Sequence, residues 1–327
     1  LTEDSPVPQV LMTKSAFFVE VTHDDDSDDG TCDTSHCSLR EAVAYVGGLG
    51  GSADIVFDDA IRTIVLTGDL PPLNQAGSVV DGSVGNPAFP VNLRIDGDGI
   101  ANRCIDFVGG SLTVMNTAVF GCGDGILIRS DANVVENCQL GIDAAGPEPG
   151  NLYGVRIQDA DDNVIGGTAD GAGNSISDNT VSGVIIDGQS ETAESNSVLG
   201  NRIGLWGDGG VQPAGVRTVE SANTQIGSTD APNIISGNAG YGVFSQVSSG
   251  TVVQANVIGL DGNGAPLGND WTGVRLSECE SCWIHGGNTI AHNGINDMPG
   301  VIVEGASSTG VLLNNNEIFD NSGIGID

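Results

Sequence analysis

A glycine followed by a short aliphatic segment recurs through the second half of the chain. Successive copies lie 23 to 32 residues apart and begin at Gly125, Gly154, Gly183, Gly215, Gly242, Gly273, Gly300 and Gly323. A period in this range is typical of solenoids, in which each repeat forms one coil of a longer structure. The repeat therefore predicts a solenoid.

The repeated segments have the composition of β-strands. They are about four residues long, which is too short for a helix, and they are rich in valine and isoleucine. One such strand cannot bury its apolar face alone, whereas stacked coils bury a continuous core. We therefore predict an all-β fold, a right-handed parallel β-helix. Its internal stack should contain Val155, Val184, Val216, Val243, Val274 and Val301.

Asparagine follows a second pattern on the same repeats. Two kinds of segment open with Asn174, Asn233 and Asn288, and with Asn201, Asn256 and Asn316. Their alternation predicts a repeating unit of two turns. Asparagines stacked at a corner can bond the coils above and below, which satisfies buried polar groups. We predict such a ladder, and we expect asparagine and glycine to supply left-handed backbone at the corners.

A short helix is predicted near the N-terminus. Ser38 and Glu41 have the spacing of a capping box, and Gly47 and Gly48 should end the helix. Its apolar face consists of Leu39, Ala42, Val43 and Val46. The open end of a solenoid exposes unpaired strand edges, so an amphipathic helix at this position is expected to cap it. Arg40 and Glu41 are then structural residues.

Two stretches resemble a known group of proteins. The segments 163–179 (NVIGGTADGAGNSISDN) and 256–269 (NVIGLDGNGAPLGN) are similar to repeats of secreted bacterial and archaeal β-helix proteins of the pectin-lyase-like superfamily. The run Cys37–Ala42 (CSLREA) resembles the N-terminal cap of that family. The resemblance covers nearly the whole chain and implies the fold. It does not imply one activity, because this fold carries lyases, hydrolases, epimerases, adhesins and structural rods.

These features divide the chain into three parts. Residues 1–15 are an N-terminal arm or linker, residues 16–53 are a cap with a disulfide loop and the short helix, and residues 54–327 are the β-helix. A solenoid needs a covered end. We therefore expect either that the natural chain continues past Asp327 or that another molecule covers this end.

The charge balance restricts the partners. The chain has 43 acidic and 10 basic residues, for a net charge of −33, which excludes nucleic acid as a partner. No apolar stretch is long enough for a membrane span. The acidic loop after His23 contains Asp24, Asp25, Asp26, Asp28 and Asp29. Clustered carboxylates can bind calcium, so calcium is a candidate cofactor, and a solvated loop is the alternative.

Seven cysteines indicate a secreted, extracellular protein if they are paired. Cys32 and Cys37 are predicted to form a disulfide. Cys279 and Cys282 form a disulfide, remain free or contribute to a metal site with the nearby His285 and His292. The sequence leaves the pairing of Cys104, Cys122 and Cys138 open.

Side chains alternate along a strand, so the third place of each repeated strand should point outward. This outward row consists of Leu127, Arg156, Ile185, Arg217, Phe244, Arg275 and Ile302. Three interpretations remain open for the row. It binds a sugar chain through its arginines, it is covered by the loops at 143–152 and 206–213, or it contacts another molecule.

A catalytic site should break the repeat. His285 and His292 do so, because sister coils carry glycine or aspartate there, and with Arg217 and Arg275 they are the candidate catalytic residues. The repetition itself favours a secreted structural or adhesive protein. Such a protein would assemble head-to-tail with copies of itself or form part of a longer surface protein. The alternative is a lyase or glycoside hydrolase that acts on an extracellular polysaccharide.

Overall fold

A computed structural model describes residues 17–83, 93–142, 149–204, 212–295 and 297–327. The predicted arm at residues 1–15 lies outside these ranges, as does most of each loop predicted to cover the outward row. In the described part of the chain, no helix is long and apolar enough to cross a membrane.

The single helix of these ranges is α1, Leu39–Gly47. The Ser38 side chain accepts a hydrogen bond from the Glu41 backbone N–H, and the Glu41 carboxylate accepts one from the Ser38 N–H. The predicted capping box is therefore present. The apolar face of α1 is buried as predicted.

The described residues form thirty-one strands. The strands before residue 150 are β1 (Phe18–Val21), β2 (Asp54–Phe57), β3 (Thr63–Val65), β4 (Val79–Asp81), β5 (Leu93–Asp96), β6 (Arg103–Phe107), β7 (Thr113–Met115), β8 (Thr117–Phe120), β9 (Asp124–Ile128), β10 (Val134–Glu136) and β11 (Gln139–Leu140). The next are β12 (Tyr153–Gln158), β13 (Val164–Gly166), β14 (Ser175–Ile176), β15 (Ser182–Asp187), β16 (Ala193–Glu194), β17 (Ser197–Leu199), β18 (Arg202–Ile203), β19 (Ala214–Val219), β20 (Ser221–Ala222) and β21 (Gln225–Ile226). The last are β22 (Ile234–Ile235), β23 (Tyr241–Gln246), β24 (Val252–Gln254), β25 (Val257–Ile258), β26 (Val274–Ser277), β27 (Trp283–His285), β28 (Thr289–Ala291), β29 (Val301–Glu304), β30 (Leu312–Asn314) and β31 (Glu317–Phe319).

The strands form three long parallel sheets, and a regular coil contributes one strand to each. The first sheet has the order β1-β2-β4-β7-β10-β13-β17-β21-β24-β27-β30, and the second has the order β3-β5-β8-β11-β14-β18-β22-β25-β28-β31. The third sheet has the order β6-β9-β12-β15-β19-β23-β26-β29, and β16 and β20 form a small fourth sheet. This arrangement is the predicted right-handed parallel β-helix. Strand β1 already pairs with β2, so the first sheet begins before α1.

The predicted valine stack is confirmed. Val155 pairs in register with Val184, and the register continues through Val216, Val243, Val274 and Val301. All six side chains are fully buried. The apolar interior therefore runs along the axis without a break in register.

The asparagine ladder is also present. Each amide donates from its side-chain nitrogen to the amide oxygen of the next coil, for example Asn201 to Asn233 at 3.1 Å and Asn233 to Asn256 at 2.9 Å. This ladder contains Asn174, Asn201, Asn233, Asn256, Asn288 and Asn316. Both kinds of predicted segment contribute to it, so the structural unit is one coil and not two. The apparent doubling arises because the longer connection alternates between two corners of successive coils.

The expected left-handed corners are present at glycines and asparagines such as Gly166, Gly204 and Asn137, but the repeated glycines have a different role. None of them adopts the left-handed conformation among the described residues; that conformation occurs at other corner residues, such as Asp159, Glu220 and Glu278. A Cβ on Gly154 would lie 2.6 Å from the carbonyl oxygen of Gly183. Close approach of neighbouring coils therefore requires glycine there.

Three disulfides join pairs of cysteines: Cys32–Cys37, Cys104–Cys122 and Cys279–Cys282. The first confirms the prediction, and the third excludes Cys279 and Cys282 as free thiols or metal ligands. Cys138 is a buried free thiol, and burial raises its pKa to about 12.

Candidate functional site

The predicted outward row is continuous on the third sheet. Arg156 pairs with Leu127 on one side and Ile185 on the other, and the register then runs through Arg217, Phe244, Arg275 and Ile302. Leu127 and Ile185 are only 4% and 5% exposed, whereas the later members of the row are half-buried. The row is therefore buried at Leu127 and Ile185 and partly accessible at its other members.

This outer face collects the basic residues of the chain. Five of the nine arginines lie on it or at its edge: Arg103, Arg129, Arg156, Arg217 and Arg275. The chain as a whole has a net charge of −33. A concentration of guanidinium groups on one face of so acidic a protein makes this face distinct from the other two sheets.

Five residues at the N-terminal end of the face form a charged cluster: Arg103, Asp106, Asp124, Arg129 and Arg156. Arg103 Nη1 lies 3.0 Å from Asp106 Oδ2, and Arg129 Nη2 lies 2.5 Å from the same oxygen. Asp106 is buried, so this bridged pairing satisfies its charge. The hydrogen bond to Asp106 raises the pKa of Arg129.

Asp124 differs from Asp106 although both carboxylates belong to the charged cluster. Its Oδ1 atom is buried and accepts no hydrogen bond from any described residue. Burial raises the pKa of Asp124, Arg156 and Arg103 oppose that shift, and Asp106 adds to it. A carboxyl group with a raised pKa beside several arginines is suited to proton transfer.

Other polar atoms of the same face are also left without partners. The Nε atoms of Arg156 and Arg217 and the Thr272 Oγ1 atom are buried and make no hydrogen bond within the described ranges. Buried polar groups are nearly always paired in native proteins. All three of these unpaired atoms lie on or beside the third sheet.

Three rings form an aromatic patch on the C-terminal half of the face: Tyr241, Phe244 and Trp271. The Tyr241 ring lies 4.9 Å from the Phe244 ring and 4.9 Å from the Trp271 ring, with an edge-to-face angle of 84° to the latter. Arg217 lies 5.6 Å from the Phe244 ring centre, and Arg275 lies 4.9 Å from it. The patch therefore combines ring faces with two cations.

The four candidate catalytic residues do not form one site. His285 lies on β27 of the first sheet and packs edge-on against Trp283, while His292 follows β28 of the second sheet and packs against Phe319. Arg217 and Arg275 lie on the third sheet. The two histidines and the two arginines therefore lie on different sides of the coil, and the histidines cannot act with these arginines.

The acidic loop is organised by bonds to the cap. Asp26 is buried and binds Arg40 at 2.6 Å, and the Thr67 N–H donates to it at 2.7 Å. Asp25 accepts hydrogen bonds from Ser27, which lower its pKa to about 2.

The ligand atoms that converge most closely in the described loop belong to Asp29, His36 and Glu41, within 4.8 Å of one another. The five predicted aspartates are therefore not gathered around one point. Calcium binding by this loop stays a prediction. It requires that added calcium raise, and chelation lower, the melting temperature.

Asp124 was missed by the sequence analysis although the signal was present. It directly precedes Gly125 of the first regular repeat, where sister copies have Tyr153, Ser182, Ala214, Tyr241 and Thr272. A carboxylate at this position breaks the repeat as clearly as the two histidines do. What the sequence could not show is that one oxygen of this carboxylate is buried and unpaired.

Comparisons with known proteins identify the fold. No protein-family model and no curated protein matches the chain. Tailspike protein 2 of an Escherichia coli bacteriophage is similar in structure, with a TM-score of 0.53 and 11% identity over 92% of this chain and 37% of that chain. This likeness shows a shared β-helix fold and nothing about activity.

Two other similar structures are named as epimerases. The A-module of an Azotobacter vinelandii mannuronan C-5 epimerase has a TM-score of 0.49 and 14% identity over 88% of this chain and 91% of that chain. The periplasmic alginate epimerase AlgG has a TM-score of 0.48 and 13% identity over 82% of this chain and 76% of that chain.

Proposed function

We propose that this chain is a polysaccharide-active enzyme that binds an acidic glycan across the outer face of the third sheet. The observation that carries the proposal is Asp124, whose buried and unpaired carboxylate oxygen lies in a cluster with three arginines on an accessible sheet. A buried carboxylate oxygen without a hydrogen-bond partner is costly and persists where function requires it.

The chemistry follows from the two kinds of group in the charged cluster. A carboxyl group with a raised pKa can donate or accept the proton that both a lyase and a hydrolase must transfer to or from the sugar. Guanidinium groups bind carboxylates through paired, charge-assisted hydrogen bonds. In this proposal Arg156, which also pairs with Asp187, binds the sugar carboxylate through its guanidinium group, and Asp124 transfers the proton.

An extracellular location is part of the proposal. Three disulfides in a chain of this size are typical of oxidising compartments. An acidic polysaccharide outside the cell is then an accessible substrate.

Turnover of acidic glycans tests the proposal. Alginate, mannuronan and polygalacturonate should be incubated with the protein. The first two are chosen because two of the similar structures are named as an alginate epimerase and a mannuronan epimerase. Absorbance of unsaturated ends reports lyase activity, reducing ends report hydrolysis, and the NMR spectrum of the polymer reports epimerisation.

The decisive variant is Asp124→Asn, which keeps the shape of the side chain but cannot donate or accept the catalytic proton. We expect loss of turnover by about a hundredfold or more. Asp230→Asn, on an exposed turn away from the third sheet, is the matched control and should retain activity. No turnover of any acidic glycan by the wild type, or full activity in Asp124→Asn, refutes the proposed function.

A structural or adhesive role is a second candidate. It is favoured by exposed apolar side chains on the last coil, among them Phe319, Ile324 and Ile326. Either a further coil of a longer chain or another copy of the protein could cover this surface. Sedimentation of the chain with and without residues 1–15 tests the second case, because the hypothesis predicts assembly that depends on the arm.

A further inference from the structure

The aromatic patch lies apart from the charged cluster. Strand β23, which carries Tyr241 and Phe244, is four strands from β9, which carries Asp124. At the usual strand spacing this is about 19 Å. A group bound at the patch therefore cannot touch Asp124 unless it belongs to a longer chain that spans the distance.

Arg217 is the unusual cation of this region. Arg103, Arg129, Arg156 and Arg275 each form an ion pair with a carboxylate. Among the described residues, Arg217 contacts no carboxylate; its Nη2 donates to Gln246 Oε1 at 3.1 Å, and its Nε–H is buried without an acceptor. In a protein with 43 acidic residues, this arginine is left able to accept an external anion.

The surroundings of Arg217 define the shape of that anion. Trp271 is 43% exposed and meets Tyr241 edge-to-face, so ring faces and edges are available to a flat apolar surface such as that of a sugar ring. The hydroxyl of Thr272, next to Trp271, is buried and has no partner within the described part of the chain. A ligand that pairs with the Arg217 guanidinium group and packs on Trp271 needs a negative charge beside an apolar face.

We propose that the aromatic patch is a separate binding subsite for a carboxylated sugar unit, with Arg217 as the carboxylate-binding residue and the three rings as its platform. The inference rests on the proposed function only for the class of glycan. A carboxylate fits the planar fork of a guanidinium in a way that an uncharged sugar cannot. The patch then holds a remote part of the same polymer whose other part reaches Asp124.

Tryptophan fluorescence provides a direct test, because Trp271 is part of the platform. The full chain should be titrated with short and long oligomers of galacturonate and of mannuronate, and with neutral glucose oligomers as controls. We expect the acidic oligomers to change the fluorescence and the neutral ones to leave it unchanged. The change should disappear in Trp271→Phe and persist in Trp283→Phe, since Trp283 lies on the first sheet.

The carboxylate contact is tested by changes at Arg217. Arg217→Gln should weaken binding of acidic oligomers at least about tenfold, because a hydrogen bond to a charged group is lost. Arg217→Lys keeps the charge but not the guanidinium fork, so it should recover only part of the affinity. Arg202→Gln on the second sheet is the matched control and should bind as the wild type does.

The outcomes separate this inference from the proposed function. Binding that needs Trp271 and Arg217, without turnover of any acidic glycan, supports the subsite and refutes the proposed reaction. Turnover in which neither variant changes the KM for long oligomers supports the reaction and overturns the subsite. A fluorescence change that is absent, or that persists in Trp271→Phe, also overturns it.

Discussion

The two faces of the third sheet follow opposite rules. The inner face repeats one small apolar residue at the same position in six coils, and every one of these valines is fully buried. The outer face of the same strands alternates arginine with apolar residues, and buried polar atoms of this face lack partners in the described chain. The inner face is therefore uniformly apolar and buried, whereas the outer face retains buried polar atoms without partners, which is where the proposed function places binding.

The largest difference between the faces should appear when each receives a new carboxylate. Val243→Asp places an unpaired charge in the core and should lower the free energy of unfolding by about 4 kcal/mol or more. Ile302→Asp, on the half-buried outer row, should cost about 1 kcal/mol or less. Urea unfolding followed by circular dichroism measures both. Similar losses in the two variants would mean that the outer face is part of the core.

A substitution in the asparagine ladder tests how much the buried polar groups inside the coil contribute to stability. Asn233 is fully buried, donates to Val198 O and Asn256 Oδ1, and accepts from Asn201. Asn233→Ala should cost about 2–3 kcal/mol, because several buried partners lose their bonds. Asn263→Ala, on an exposed turn, is the matched control with no expected loss. Equal stability of both variants would show that the ladder contributes nothing.

The smallest effect concerns Asp124 and should depend on pH. Its folded pKa is raised, so the stability linked to this group is fully present below the unfolded pKa of about 3.9 and is lost as pH rises through the folded pKa. Asparagine does not titrate there. The free energy of unfolding of Asp124→Asn, relative to that of the wild type, should therefore increase as pH rises above the unfolded pKa. A difference that stays constant with pH would mean that Asp124 is as well solvated as an unfolded carboxylate.

The sequence predicted the inner face better than the outer one for a physical reason. Contacts along the axis join equivalent positions of successive coils, so periodicity alone places Val155 over Val184 and Asn201 over Asn233. Contacts around the coil depend on which of three sides a residue faces, and the repeat does not show this. Arg275 lies on β26 of the third sheet, His285 lies on β27 of the first, and His292 directly follows β28 of the second.

The chemistry of the outer face depends on side-chain directions and burial, which the sequence does not show. Asp106 and Asp124 are both aspartates near the same arginines, yet Asp106 is bridged by two of them and Asp124 keeps one oxygen unpaired. That difference arises from the directions of long side chains and from burial. The periodicity of the sequence predicts neither of them.

The regular stacking of coils also sets a fixed spacing between side chains on the third sheet. Arg156, Arg217 and Arg275 lie two strands apart on β12, β19 and β26, so their backbones repeat about every 9.6 Å along the axis. If the proposed function holds, a linear polymer with charges at that repeat would place one charge beside each guanidinium group, two of which already pair with Asp187 and Glu304. Displacement by one coil would place each charge beside an isoleucine or phenylalanine, so the spacing of the charges would decide which polymers bind.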